Sequence, residues 1–452
     1  MTNAVSRLFV TGLIAAVSLL AQDASYFREV RPILQRNCQG CHQPAVKQGG
    51  LDLTRFETFA TGGSHGPVFK VGAPQESVIL AFIKGDRQPR MPLGAAPLPD
   101  DQVELIRRWI AAGAKDDTPA EARETAPLDK PPVYHLPPVI TGLAYSPDGK
   151  MLAVSGYREV LLHDAAGGGI IARLVGLSDR IQSLEFSSDG KLLVAAGGTP
   201  ARFGEVQIWD VGSRKLKHSV MLTSETVFGA SLSPDAAKVA VGCADNTVRV
   251  VESASGKELL KMTSHENWVL GTIFGLDGKR IVSVGRDQAA KLSDAASGAF
   301  IENVNLLRGE LAAVTRHPSR DQILIGGAER VPYLYTMDRG ASMRIADDTT
   351  LIRKFEMQNG AIFALAFSPD GRNIAVAGAA DEVPVYQTET GERVATCKGH
   401  KAGIYAVAFS ADSQQVAAGG FDGKVRVYEA KSGKLVREFV PVPVETQVAA
   451  AR

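Results

Sequence analysis

Ser146-Pro147-Asp148-Gly149 is the stretch that decides most of this fold, because it recurs. Degraded copies begin at Ser187, Ser233, Gly275, His317, Ser368 and Ser410, at steps of 41, 46, 42, 42, 51 and 42 residues. Serine, proline, aspartate and glycine in that order suit a tight reversal, because the aspartate binds its own backbone and glycine accepts a positive φ. Alternating apolar residues precede each turn, as in Ile362, Ala364 and Ala366. A small apolar run such as Ile374-Ala375-Val376-Ala377-Gly378 follows, and then a third strand such as Val206-Gln207-Ile208-Trp209-Asp210 or Val425-Arg426-Val427-Tyr428. A period near 42 is that of a four-stranded propeller blade. Seven copies predict an all-β, seven-bladed propeller over residues 139–446. Two blades are longer, with extra residues at Thr199 to Phe203 in the second and Met337 to Ile352 in the fifth. Insertions on a rigid scaffold are where binding specificity is often placed. Lys434 to Val440 could complete the last blade, or Val133 to Leu136 could clip onto it.

Ahead of the repeats lies a proline-rich segment, residues 118–138, with Pro119, Pro127, Pro131, Pro132, Pro137 and Pro138. It reads as an extended linker. The chemistry lies before it, in Cys38-Gln39-Gly40-Cys41-His42. Two thiols two residues apart, followed at once by a histidine, form the attachment signature of a c-type haem. The thiols of Cys38 and Cys41 add to the two porphyrin vinyl groups, and His42 is carried beneath the iron as proximal ligand. Half of a zinc site would need a second Cys/His pair, which does not follow. A thioredoxin-like pair would need a βαβ context, which the flanks lack. The expected cofactor is therefore one covalent haem c.

Residues 23–117 read as a small all-α domain. Phe27, Val30, Ile33 and Leu34 repeat at helical spacing, as do Val103, Ile106 and Ile110. Asp101 and Glu104 have capping-box spacing, and Gly113 suits a stop. Trp109 is expected to fill the core where the two terminal helices cross. A sixth iron ligand is expected from Met91 in Arg90-Met91-Pro92-Leu93, since a thioether favours Fe(II). His65, between glycines, is the rival, and an open iron is the third option.

Residues 1–21 have one cation, Arg7, then an uncharged, mostly apolar run from Leu8 to Ala21. That is the layout of a secretory signal peptide, too short to span a bilayer as a helix. An uncleaved anchor is the alternative. The compartment expected is periplasmic or secreted. The charge balance, 50 basic against 49 acidic residues, gives no global field for nucleic acid or acidic lipid. Of four cysteines, Cys243 and Cys397 remain outside the haem motif and are expected as buried free thiols. His265 and His400 each precede a first strand. His163, His218 and His317 fall in unmatched places and are expected at the surface.

From Val30 to Ala114 the sequence resembles the planctomycete-type cytochrome c domain. The matching residues are Val30-Arg31-Pro32-Ile33-Leu34, Cys38 to His42, Gly49 to Leu53, Val71-Gly72, Glu76-Ser77, Met91-Pro92 and Leu105 to Ala114. The resemblance implies Cys38 and Cys41 as haem thioethers and His42 and Met91 as axial ligands. Pro92 is followed by Leu93, where that family commonly has a second proline. The repeats resemble WD-repeat propellers, although Trp209-Asp210 is the one intact Trp-Asp pair. That resemblance implies structural roles for His265 and His400, bonded to Asp287 and Asp422. Taken together, the expectation is an exported c-type cytochrome that transfers single electrons, a carrier rather than a catalyst. Its expected partners are redox proteins and a protein or polymer docked on the propeller. Two alternatives stay open. One is a haem-containing oxidoreductase whose propeller holds a second cofactor or substrate. The other is a haem-based redox or gas sensor.

Overall fold

The computed structural model describes residues 24–123, 130–337 and 347–445. The expected signal peptide lies outside them, as do part of the linker and the middle of the blade-five insertion.

The period seen in the sequence becomes seven four-stranded antiparallel sheets, each built from four consecutive strands. They span residues 143–175, 180–223, 227–262, 269–303, 311–354, 362–397 and 404–439, numbered here as blades 1 to 7. The first strands surround a central channel of about 560 Å³. The second strands are covered on both faces by neighbouring blades, which is why they read as apolar runs rather than alternations. Asn373–Gly378 and Lys238–Cys243 are each buried from their second residue onward.

All seven turns lie between a first and a second strand. In blade 1 the Ser146 hydroxyl donates to Asp148 (2.6 Å) and accepts from the Met151 amide (2.9 Å), while the Lys150 amide donates to Asp148 (3.1 Å). The last turn position is left-handed, with φ near +70° at Gly149, Gly190, Gly278 and Gly371. Blade 3 places Ala236 there at φ +56°. A residue with a Cβ pays about 1–2 kcal/mol in that conformation, whereas glycine gives back part of this as chain entropy. Ala236→Gly should therefore stabilise the protein by about 0.5–1 kcal/mol. The expected reading is a higher urea midpoint at unchanged slope.

Blade 5 builds the turn differently and corrects one expectation. His317 is buried, not at the surface, and its Nδ1 accepts from the amides of Ser319 (3.2 Å) and Arg320 (3.1 Å). The ring replaces the serine hydroxyl of the turns in blades 1, 2, 3, 6 and 7 and packs edge-on against Phe367. His163 is buried too, its Nε2 donating to the Pro441 carbonyl oxygen at 2.9 Å. His218 is half-buried against the Ala254 carbonyl (2.8 Å).

Leu435–Phe439 supplies the fourth strand of blade 7. The alternative, Val133 to Leu136, serves the closure elsewhere. Tyr134 forms a parallel bridge with Val444, and its carbonyl accepts the Glu445 amide (2.9 Å). Tyr134, Leu161 and Val442 make a small buried cluster on blade 1. The C-terminal segment thus crosses from blade 7 to blade 1 and is clasped there by the linker. Cys243 and Cys397 are buried free thiols, as expected.

The N-terminal region holds four short helices: α1 (Arg31–Asn37), α2 (Phe56–Thr61), α3 (Val78–Lys84) and α4 (Asp100–Ala111). A π-helical turn, Tyr26–Val30, leads into α1. Tyr26, Phe56, Phe59, Phe69 and Trp109 form one aromatic cluster, and the Trp109 indole donates to the Lys115 carbonyl (3.0 Å). Trp109 is core, as expected. The capping box is not formed. Helix α4 starts after Pro99 without a side-chain cap, and Glu104 is held by Arg107 instead. Asp117 closes the domain by accepting from the Phe27 amide (2.8 Å) and the Ser25 hydroxyl (2.5 Å).

Candidate functional site

Helix α1 ends at Asn37 and delivers the Cys38 amide to the Leu34 carbonyl (2.9 Å). The next residues coil tightly. The amides of Cys41 and His42 both donate to the Cys38 carbonyl, at 3.2 and 3.1 Å. The loop is tied to the following segment by Gln48 N to Cys41 O (3.0 Å), Leu53 N to His42 O (2.9 Å) and Gln39 Nε2 to Leu53 O (2.6 Å). The His42 ring faces the Gln48 carbonyl through Nδ1 at 3.0 Å. That bond makes Nδ1 the protonated nitrogen and leaves the Nε2 lone pair available to a metal. Burial lowers the His42 pKa, outweighing the Gln48 carbonyl, so the ring is neutral as ligation requires. Burial pushes the Cys38 thiol up to about 12, with Cys41 adding to the effect.

Cys38, His42, His65 and Met91 line one cavity of about 290 Å³. Its other walls are chiefly apolar: Leu51, Leu53, Val68, Ile79, Phe82 and Ile83 are among them. Cys41 is exposed and is not one of the wall residues. Met91 is set by its amide, which donates to the Phe82 carbonyl at the end of α3 (3.0 Å). His65 sits in a turn closed by the Gly63–Gly66 bridge, exposed, with its ring 5.4 Å from that of Phe82. The structure thus brings together three of the four expected site residues and the rival ligand as well. A flat, mainly apolar group with a metal at its centre suits these walls. The neutral imidazole and the thioether would be the donors to its metal, and the two thiols would be its covalent anchors. Among the described residues, no cluster of three or more His, Cys, Asp or Glu side chains suits a metal held by the protein alone.

Sequence reading missed two contributors. Gln48, which orients His42, gives no signal because it acts through a backbone carbonyl. Helix α3 supplies much of the wall, and Val78, Ile79, Phe82 and Ile83 carry the helical spacing that could have revealed it.

Propeller histidines are engaged structurally. His265 Nδ1 lies 2.9 Å from both Asp287 oxygens, and Nε2 lies 2.7 Å from the Ser283 hydroxyl. His400 departs from the expected pairing: Arg426 intervenes, donating to His400 Nδ1 (3.1 Å) and to Asp422 (2.7 Å). Burial, then the Arg426 charge, lowers the His400 pKa to about 4. The unfolded chain binds this proton more tightly, so the contribution of His400 is complete above pH 6.5 and is lost as pH falls towards 4. His400→Gln, which can still accept from Arg426, should flatten that acid limb. Up to about 3 kcal/mol of pH dependence is at stake, read from thermal midpoints between pH 7 and 4.5.

Comparison with known proteins places these features. The family model described as Planctomycete cytochrome C matches residues 38–92, which run from the first motif cysteine to the proline after Met91. The WD domain, G-beta repeat model matches residues 349–382 and 391–429, in blades 5 to 7. Among curated proteins, Transcription factor unc-37 of Caenorhabditis elegans is 30% identical over 203 residues, 43% of this chain and 31% of that protein. Autophagy-related protein 16 of Arabidopsis thaliana is 22% identical over 216 residues, 47% of this chain and 42% of that protein. An uncharacterized WD repeat-containing protein of Synechocystis is 26% identical over 157 residues, 34% of this chain and 44% of that protein. The chain thus spans less than half the length of each of these relatives. It joins a region similar to the planctomycete cytochrome C family to a seven-bladed propeller that carries WD repeats.

Proposed function

We propose that this chain is an exported c-type cytochrome that passes single electrons between partner proteins, with the propeller as the docking platform. The observation that carries the reading is the cavity that gathers Cys38, His42 and Met91, with His42 already held in the tautomer that leaves Nε2 free. Bound there, a haem supplies a reversible one-electron couple at iron. The residues supply the rest. Cys38 and Cys41 would hold the group through thioether links, so that it would not be lost on reduction or oxidation. His42, steadied by Gln48, and Met91 would hold its iron, and the Met91 thioether would be a soft donor that favours Fe(II). The apolar wall from α3 keeps water away and raises the potential in the same direction.

WD-repeat similarity supports protein partners for the propeller, and the layout of residues 1–21 supports a location outside the cytoplasm. No helix among the described residues is long and apolar enough to cross a membrane. A second reading, a redox or gas sensor, needs a sixth position that opens or changes ligand, and it has one observation in its favour: His65 lines the same cavity as Met91 and offers a second donor for such an exchange. The optical spectrum of the full-length holoprotein, made in a host that attaches haem to cysteine, tests both. A carrier shows a six-coordinate spectrum and no carbon monoxide binding to the reduced form. A sensor with an open iron binds carbon monoxide without denaturant.

A further inference from the structure

The haem-motif loop does not stand clear of the propeller. A side chain at Gly40, between the two motif cysteines, would collide with the Ser219 carbonyl oxygen on the outermost strand of blade 2, Lys215–Thr223. Val46, just beyond His42, packs against the apolar cluster shared by blades 1 and 2. The blade-2 insertion faces the same junction: Thr199, Arg202 and Phe203 line one cleft with Gln35 and Gln39.

Directly behind this contact lies a buried carboxyl. The Ser219 hydroxyl donates to Glu205 Oε1. Glu205 Oε2 accepts from the Ser178 hydroxyl (2.5 Å) and the Gln207 amide (2.9 Å), and Gln207 in turn accepts from the Trp209 indole (3.1 Å). Glu205 is 0% exposed. Burial raises its pKa, against the lowering effect of the hydroxyl and amide donors.

The other blades show what blade 2 lacks. Asp210, Glu252, Asp294 and Glu429 hold equivalent places at the ends of third strands, so Gln207 corresponds to Arg249, Lys291 and Arg426. Each of those cations meets an acid: Arg249 with Asp245 (2.7 Å), Lys291 with Asp287 (3.6 Å) and Arg426 with Asp422 (2.7 Å). In blade 1 the equivalent of Glu205 is Glu159, paired with Arg173 at 2.7 Å. Blade 2 alone of these five puts a neutral amide where three of the others have a cation. Its acid is held by hydroxyl and amide donors, in the blade that carries the haem loop.

We propose that Glu205 is a redox-linked proton site of the haem, taking up one proton when the iron accepts an electron from a one-electron donor and releasing it when the electron leaves. This rests on the haem reading above. The oxidised iron carries one more positive charge, which favours the carboxylate, and reduction removes that charge. The intervening Ser219 is buried and Gly40 is half-buried, so the interaction between the two charges is less screened than it would be across bulk water. The neighbouring titratable groups are otherwise engaged. Asp179 is paired with Arg158 (2.9 Å), and His218 is bonded to the Ala254 carbonyl. On the strand bearing Ser219, Lys215 and Lys217 are exposed. Arg202 is exposed at the insertion, and Cys38, Cys41 and His42 belong to the haem motif itself.

The test is a spectroelectrochemical titration of the full-length holoprotein from pH 5 to 9, wild type beside Glu205→Gln, which keeps the shape of the side chain. The wild-type midpoint potential is expected to fall as pH rises, and the variant to lose at least half of that slope. Reduced-minus-oxidised infrared spectra should show a protonated carboxyl band in wild type that is absent from the variant. A pH-independent wild-type potential, or an unchanged slope in Glu205→Gln, overturns the proposal. If Glu205→Gln does not fold, Ser219→Ala serves. Removing that donor should move the sloping region to higher pH, and an unmoved region counts against Glu205. Covalent haem with a normal spectrum and no pH slope sinks this proposal alone. A protein without covalent haem sinks it together with the functional reading.

Discussion

Replacing Cys38 and Cys41 together by alanine is expected to abolish covalent haem while leaving the propeller folded. The two thiols are the only possible thioether anchors in the cavity region, since the other cysteines, Cys243 and Cys397, are buried in blades 3 and 6. In-gel haem staining after denaturation should fall to background in the double variant, and the mass should return to that of the polypeptide. Single variants should keep part of the signal, because one thioether still tethers the porphyrin. They should also separate the two positions: Cys38 forms part of the cavity wall, while Cys41 is exposed and is not one of its lining residues. The propeller rests on separate apolar clusters within and between its blades, so its thermal unfolding should be little changed. Undiminished staining in the double variant would refute the attachment site.

Legibility followed the physics of each region. The propeller could be read from the sequence because five of the seven blades repeat the same solution to one local problem, reversing the chain after an inner strand. Asp148, Asp189, Asp235, Asp370 and Asp412 all accept the hydroxyl of a serine two residues earlier at 2.6 Å. Where the local solution changes, the reading fails. His317 looks like a stray surface residue because nothing in a single sequence says that an imidazole can replace a serine hydroxyl. His163 is misjudged for a related reason, since its partner is the Pro441 segment, 278 residues away. Ring closure was undecided because it depends on two distant segments meeting over blade 1.

In the site, residues whose chemistry is in the side chain were visible, and residues that act through geometry were not. Cys38, Cys41, His42 and Met91 announce themselves by type and spacing. Gln48 contributes only a carbonyl, and Gly40 matters for the side chain it does not have. The blade-two insertion was visible as extra length, but its orientation towards α1 emerges only in three dimensions. His65 is exposed, as its glycine neighbours suggest, and the Gly63–Gly66 turn also places it on the cavity lining, beside Phe82.

Met91→Ala carries the second large effect, because it decides between a closed and an open iron. With the thioether gone, and with Cys38 and His42 assigned to holding the haem, His65 is the remaining imidazole or sulfur donor among the residues that line the cavity. The Met–iron charge-transfer band of the oxidised protein should disappear. Loss of a ligand that favours Fe(II) should also lower the reduction potential, by on the order of 0.1 V. The reduced variant should then bind carbon monoxide. Helix α3 should survive the change, because Ile79, Leu80 and Ile83 are buried in the domain core independently of the Met91 sulfur. His65→Ala is the necessary companion. If Met91 is the ligand, His65→Ala keeps the band and blocks carbon monoxide as wild type does. If His65 is the ligand, the outcomes exchange: Met91→Ala leaves the spectrum unaltered and His65→Ala opens the iron. Because both side chains line the same cavity, the double variant should bind carbon monoxide under either assignment, which makes it the positive control for an open sixth position.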